Sequence, residues 1–204
     1  LAANQTEEHM KITKVETFQV SVPSKGDYKM ARGSHDSLRS LVVRVHTDEG
    51  IVGVGEAHQG VAGYSSETLG TMAAVVSGVY GPLLVGRELA AVEQIAADMG
   101  VARRGNLFAR CAVEIALFDA LARARNLPIV AMLGGPVRTR LDLSGGIGID
   151  EPGVMASKAA AMVADRQARS RPDDHLDGPA WRRVADRVLH QIAQGAAQGL
   201  AVAA

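Results

Sequence analysis

The chain of 204 residues carries 22 basic and 22 acidic side chains, is 47% apolar and has a sequence pI of about 7.2. That balance provides neither the basic stripe needed for nucleic acid nor the polybasic patch that holds an anionic membrane surface, and no run approaches the ~18 uncharged apolar residues of a spanning helix. The one cysteine, Cys111, leaves no partner for an intrachain disulfide or a cysteine-rich zinc site and fits the reducing cytoplasm.

Residues 1–9 lack the positive start and apolar core of a secretory signal and read as a disordered extension, with Met10-Lys11-Ile12 opening the first strand. From Lys11 to Val22 the apolar residues Ile12, Val15, Phe18, Val20 and Val22 suit a strand. Residues 23–36 mix both signs of charge without periodicity and predict a solvated, mobile loop. Ser40 to Thr47 and Ile51 to Ala57 form two further strands across Asp48-Glu49-Gly50, a hairpin turn whose glycine supplies a positive φ, to give a three-stranded antiparallel meander.

The period then changes. Leu69, Met72, Val75, Val76 and Val79 recur at helical steps, a second helix covers Leu89 to Met99, and a third runs from Asn106 to Arg125. Along that third helix, Leu107, Cys111, Ile115, Phe118 and Ala122 make the expected core face, and Arg110, Arg123 and Arg125 lie off it. Three strands followed by three helices define an α+β arrangement. Pro128 and Leu133-Gly134-Gly135-Pro136 break the chain, after which Leu141 to Ile147 predicts a strand and Pro152 to Ala164 a helix with Asp150 near its N-cap. Residues 165–204 hold six Arg and five Asp but no Lys or Glu; within this atypical tail a linker leads to a candidate amphipathic helix at 178–194 bearing Trp181, Val184, Ala185, Val188 and Ile192.

Few motifs carry chemistry on their own. Gly53-Val54-Gly55-Glu56-Ala57-His58 opens like a dinucleotide fingerprint but lacks the third glycine and the following helix. Gly145-Gly146-Ile147-Gly148 lacks the Gly-Lys-Ser/Thr of a phosphate loop, and no Gly-x-Ser-x-Gly elbow occurs. The six histidines include no pair at metal-ligand spacing on one helix face, and His46 reads as structural. His58 and Tyr64 sit in a Gly-rich loop after a strand, where polar tips either reach a ligand or remain solvated. Glu56 is expected to bond nearby backbone, and Asp119 to be a buried anchor that must find donors.

Val52-Gly53-Val54-Gly55-Glu56-Ala57, Gly81-Pro82-Leu83-Leu84-Val85-Gly86, Arg104-Gly105-Asn106-Leu107-Phe108-Ala109-Arg110, Glu114-Ile115-Ala116-Leu117-Phe118-Asp119-Ala120 and Leu127-Pro128 through Leu133-Gly134-Gly135 occur in an order that resembles the mandelate racemase/muconate lactonizing enzymes of the enolase superfamily. The resemblance runs from about Met10 to Ala164, and the Gly-Asn-x-Phe-Ala stretch is most similar to the muconate cycloisomerase subgroup. It implies an α+β capping domain over residues 10–130, a three-stranded antiparallel meander followed by a helical bundle, and the start of a (β/α) barrel over residues 131–164. It further implies magnesium-dependent removal of the proton next to the carboxylate of a small acid, with two capping-domain loops closing over the substrate. The matching segments are residues 23–36 and 57–66, with Tyr28, Met30, His58 and Tyr64 as the expected substrate contacts.

The departures are equally specific. A (β/α) barrel takes about 200 residues or more, whereas 64 follow Arg140. The Lys-x-Lys expected on the second barrel strand is absent, and Lys158 is the only lysine after Arg140. A frameshift, deletion or misjoined sequence near residue 164 would account for this. The chain is therefore expected to bind no magnesium, to be inactive alone and to self-associate through surface that a barrel would cover. The rival expectation is a non-catalytic binding or oligomerisation module built on the capping domain.

Overall fold

A computed structural model describes residues 9–31, 33–60, 65–139 and 146–169. Two compact units divide the chain, residues 1–143 and 144–204. The first holds strands β1 (Ile12–Met30), β2 (Gly33–Thr47) and β3 (Val52–His58) in one antiparallel sheet of that order. Helices follow: α1 (Leu69–Val75), a π-helical stretch Val76–Tyr80, α2 (Gly81–Leu84), a 3-10 turn Leu89–Ala91, α3 (Val92–Ala102), α4 (Leu107–Ala124) and the short α5 (Ile129–Met132). The second unit contributes α6 (Pro152–Arg169).

The meander forms as its pattern predicts. Gly50 takes φ 76°, and the Thr47 and Ile51 backbones close the turn with a 3.0 Å bond. The mobile loop expected over residues 23–36 is instead a continuation of the hairpin. Pairing resumes after an irregularity following Pro23, with Tyr28 opposite His35, Lys29 opposite Ser34 and Met30 opposite Gly33. An alternation broken by charges does not prevent pairing where the hairpin keeps the two strands adjacent, so the ladder extends, in a shifted register, past the apolar run that nucleates it.

One face of the sheet carries Leu41, Val43 and Val45 into a core completed by Met72, Val76, Tyr80, Leu84, Ile95, Met99 and Leu117. The helical segment from Leu69 to Leu84 starts at a Thr68–Thr71 capping box and widens to a π turn, with the Gly81 N–H bonding the Val76 carbonyl. Pro82 follows directly, and its missing N–H and bulky ring disfavour the regular α ladder one turn upstream.

The burial of α4 is the reverse of the expected one. Its buried face is small: Ala109, Ala112, Val113, Ala116, Leu117 and Ala120. Leu107 (68% exposed), Cys111, Phe108 and Ile115 (both 41%) face outward, and Phe118 is half-buried. The cause is the Gly-Val-Gly of β3: a Cβ on Gly53 would overlap the Ala116 carbonyl, and one on Gly55 the Ala112 carbonyl. Backbones this close admit only small side chains, which places the alanines inside and the larger residues outside. Of the expected face, only Ala122 is buried. The helix ends as a Schellman cap, with Asn126 at φ 51°, Leu127 N–H donating to the Ala122 carbonyl and Asn126 N–H to that of Arg123.

In the second unit α6 runs five residues past the expected end at Ala164. Asp150 precedes it, accepting from the Glu151 N–H and from Lys158. Of the expected strand at 141–147, residues 141–145 lie outside the described residues, as do the candidate helix at 178–194 and residues 1–8.

Candidate functional site

The two segments expected to enclose a ligand do not meet among the described residues; the 57–66 segment leaves the sheet where β3 stops, beside Arg39 at the base of the β1–β2 ribbon. His58 pairs with Ser40 in register. Its Nδ1 lies 2.9 Å from the Arg39 carbonyl, which also accepts the Gln59 N–H at 2.9 Å. A carbonyl only accepts, so Nδ1 carries the proton, and in the neutral ring Nε2 is an exposed acceptor. From this point the β1–β2 ribbon extends roughly 20 Å further, seven residues of strand. Met30 is at its far end, half-buried, and Tyr28 lies two residues before it. The ribbon thus holds Tyr28 and Met30 well away from His58, although its base and His58 share one backbone carbonyl. Tyr64 lies outside the described residues. Glu56 is exposed and, contrary to expectation, bonds no nearby backbone among the described residues.

The returning end of the His58 segment is anchored by a residue with no sequence signal of its own. The Ser65 hydroxyl bonds both the N–H and the carbonyl of Glu67. The Glu67 side chain, on a residue 6% exposed, accepts the Phe108 N–H at 2.8 Å and the Ala109 N–H at 3.1 Å. These are first-turn donors of α4 that the helix cannot satisfy, and a carboxylate suits the positive end of its dipole. Ser-Ser-Glu-Thr reads locally as the start of α1, yet the glutamate caps a helix some forty residues later. The Leu69 N–H reaches Gln59 Oε1, which ties the two ends of the segment together.

Asp119 performs the corresponding task at the sheet edge. Only 4% exposed, it accepts the edge N–H of Val54 at 2.9 Å and Arg123 Nε at 2.8 Å, as a buried carboxylate requires. On the sheet's outer face, Glu16 accepts from Lys14 and lies 2.7 Å from His46 Nε2. The Lys14 bond in particular holds the Glu16 carboxyl below its ordinary range, with His46 adding to it. Beside this pair the Arg44 guanidinium lies 6.0 Å over the Phe18 ring.

Magnesium needs several oxygen donors converging on one point. No group of three or more His, Cys, Asp or Glu side chains among the described residues is placed to hold a metal ion. Glu67, Asp119 and Glu16 are committed to N–H donors instead. The described donor set does not fit the ion. None of the described helices is long and apolar enough to cross a membrane.

A three-stranded meander with helices packed on one face and a strand-end segment tied to a projecting ribbon is the capping-domain fold of the enolase superfamily. The family model for the N-terminal domain of mandelate racemase and muconate lactonizing enzyme matches residues 12–134. The chain belongs to that family. It is 33% identical over 150 residues to the L-Ala-D/L-Glu epimerase of Bacillus subtilis (strain 168), an alignment spanning 74% of this chain and 40% of the relative. The structure of muconate lactonizing enzyme from Pseudomonas fluorescens, solved with muconolactone, superposes with a TM-score of 0.73 at 25% identity, over 76% of this chain and 42% of that one. A dipeptide epimerase from Enterococcus faecalis V583, solved with Mg and the dipeptide L-Leu-L-Tyr, gives a TM-score of 0.69 at 29% identity over 76% and 43%. The chain therefore spans about 40% of the length of these relatives.

Proposed function

We propose that this chain is cytoplasmic and forms the substrate-enclosing cap of a magnesium-dependent cycloisomerase, racemase or epimerase that removes the proton beside the carboxylate of a small acid, and that it does not itself supply the base or the metal site. The observation that carries this reading is the junction at the Arg39 carbonyl, which ties the His58 segment to the base of the ribbon bearing Tyr28 and Met30. Tyr28, Met30, His58 and Tyr64 are the substrate contacts in this reading. A carbanion beside a carboxylate requires a divalent cation and an amine or imidazole of lowered pKa. No group of three or more His, Cys, Asp or Glu side chains among the described residues is placed to hold a metal ion, which supports the reading that the chain alone does not catalyse.

The test is solvent exchange. The purified chain is incubated with magnesium chloride in deuterated water with muconate, an Ala-Glu dipeptide and an N-succinyl amino acid, and the proton beside the carboxylate is followed by NMR. No exchange above the buffer blank is expected; incorporation that depends on this chain overturns the inactivity. A fusion of residues 10–135 to the barrel of the Bacillus epimerase tests the capping role. His58→Ala in that fusion is expected to raise KM several-fold with little change in kcat, and an unchanged KM removes His58 from the contacts.

A second reading, a non-catalytic binding or oligomerisation module, is favoured by one feature: the row of exposed apolar side chains along α4.

A further inference from the structure

No further inference is drawn: the strongest candidate, the outward face of α4 with Leu107, Phe108, Cys111 and Ile115 exposed, is an unpartnered apolar surface, and nothing in the structure shows what covers it.

Discussion

Asp119 and Glu67 are buried carboxylates whose value to the fold is the backbone N–H groups they satisfy. Asp119→Ala strands the Val54 N–H and leaves Arg123 without its acceptor, with an expected loss of about 2–4 kcal/mol in urea unfolding; Asp119→Asn keeps one acceptor oxygen and should lose roughly half as much. Glu67→Ala removes the cap of α4 and should cost about 1–2 kcal/mol by the same measurement. Tyr80 gives the opposite expectation. Its hydroxyl is buried without a protein partner, and burial pushes its pKa up, so Tyr80→Phe should be neutral or stabilising by up to about 1 kcal/mol. Because the phenol ionises more readily once unfolded, its contribution is whole below about pH 10 and lost as pH rises through the folded value. Glu16 and Asp98 act at the acid end: the Lys14 bond and the Arg87 bond respectively hold them below the ordinary carboxylate range. The stability they confer is present above about pH 4 and lost as pH falls through their folded values. Glu16→Gln should therefore flatten the acid limb of the stability–pH curve, and an unaltered limb would show that its bonds do not persist in solution.

At the scale of elements, the contact between β3 and α4 sets the architecture. Gly53 and Gly55 are not remnants of a nucleotide loop but the surface on which Ala112, Ala116 and Ala120 rest. Gly55→Ala forces a methyl into the Ala112 carbonyl, and backbone cannot rotate aside as a side chain can. The expected outcome is a loss of at least about 3 kcal/mol or failure to accumulate folded protein, read from thermal melts. The same contact explains why the face of α4 was legible only in part. A pattern of large apolar residues normally marks the core side of a helix, but here a glycine-lined partner selects for smallness. The hairpin, by contrast, follows from its alternation and its glycine turn alone. Its extension through residues 23–39 depends on a partner strand that local composition does not reveal.

At the scale of the whole chain, the relation to proteins more than twice its length dominates. In the proposed reading, the cap's part is to exclude water and orient a small acid. The chemistry of enolate formation requires charges that the described residues do not bring together. Titration with magnesium chloride, followed by calorimetry, is accordingly expected to show no saturable heat with this chain; a stoichiometric site of micromolar affinity would contradict the donor arrangement. Residues 23–36 and 57–66 were legible as a pair of segments matched by motif order; that they touch substrate is our proposal. Their mutual distance was not legible, since a ribbon replaces the expected loop and carries Met30 away from His58. Glu67 was not legible at all, because its partners lie some forty positions on.

What the amino-acid order settled by itself was local: the three strands and their glycine turn, the helical periods from Leu69 onward, and an ordered set of motifs sufficient to reach the family. Those features depend on steric preferences and on spacing along one element. The tertiary structure alone decided which side of α4 is inside, where Glu67 and Asp119 spend their charge, and how far the ribbon reaches. Each of these depends on how closely two backbones distant in sequence approach, a distance fixed by the smallest side chains between them.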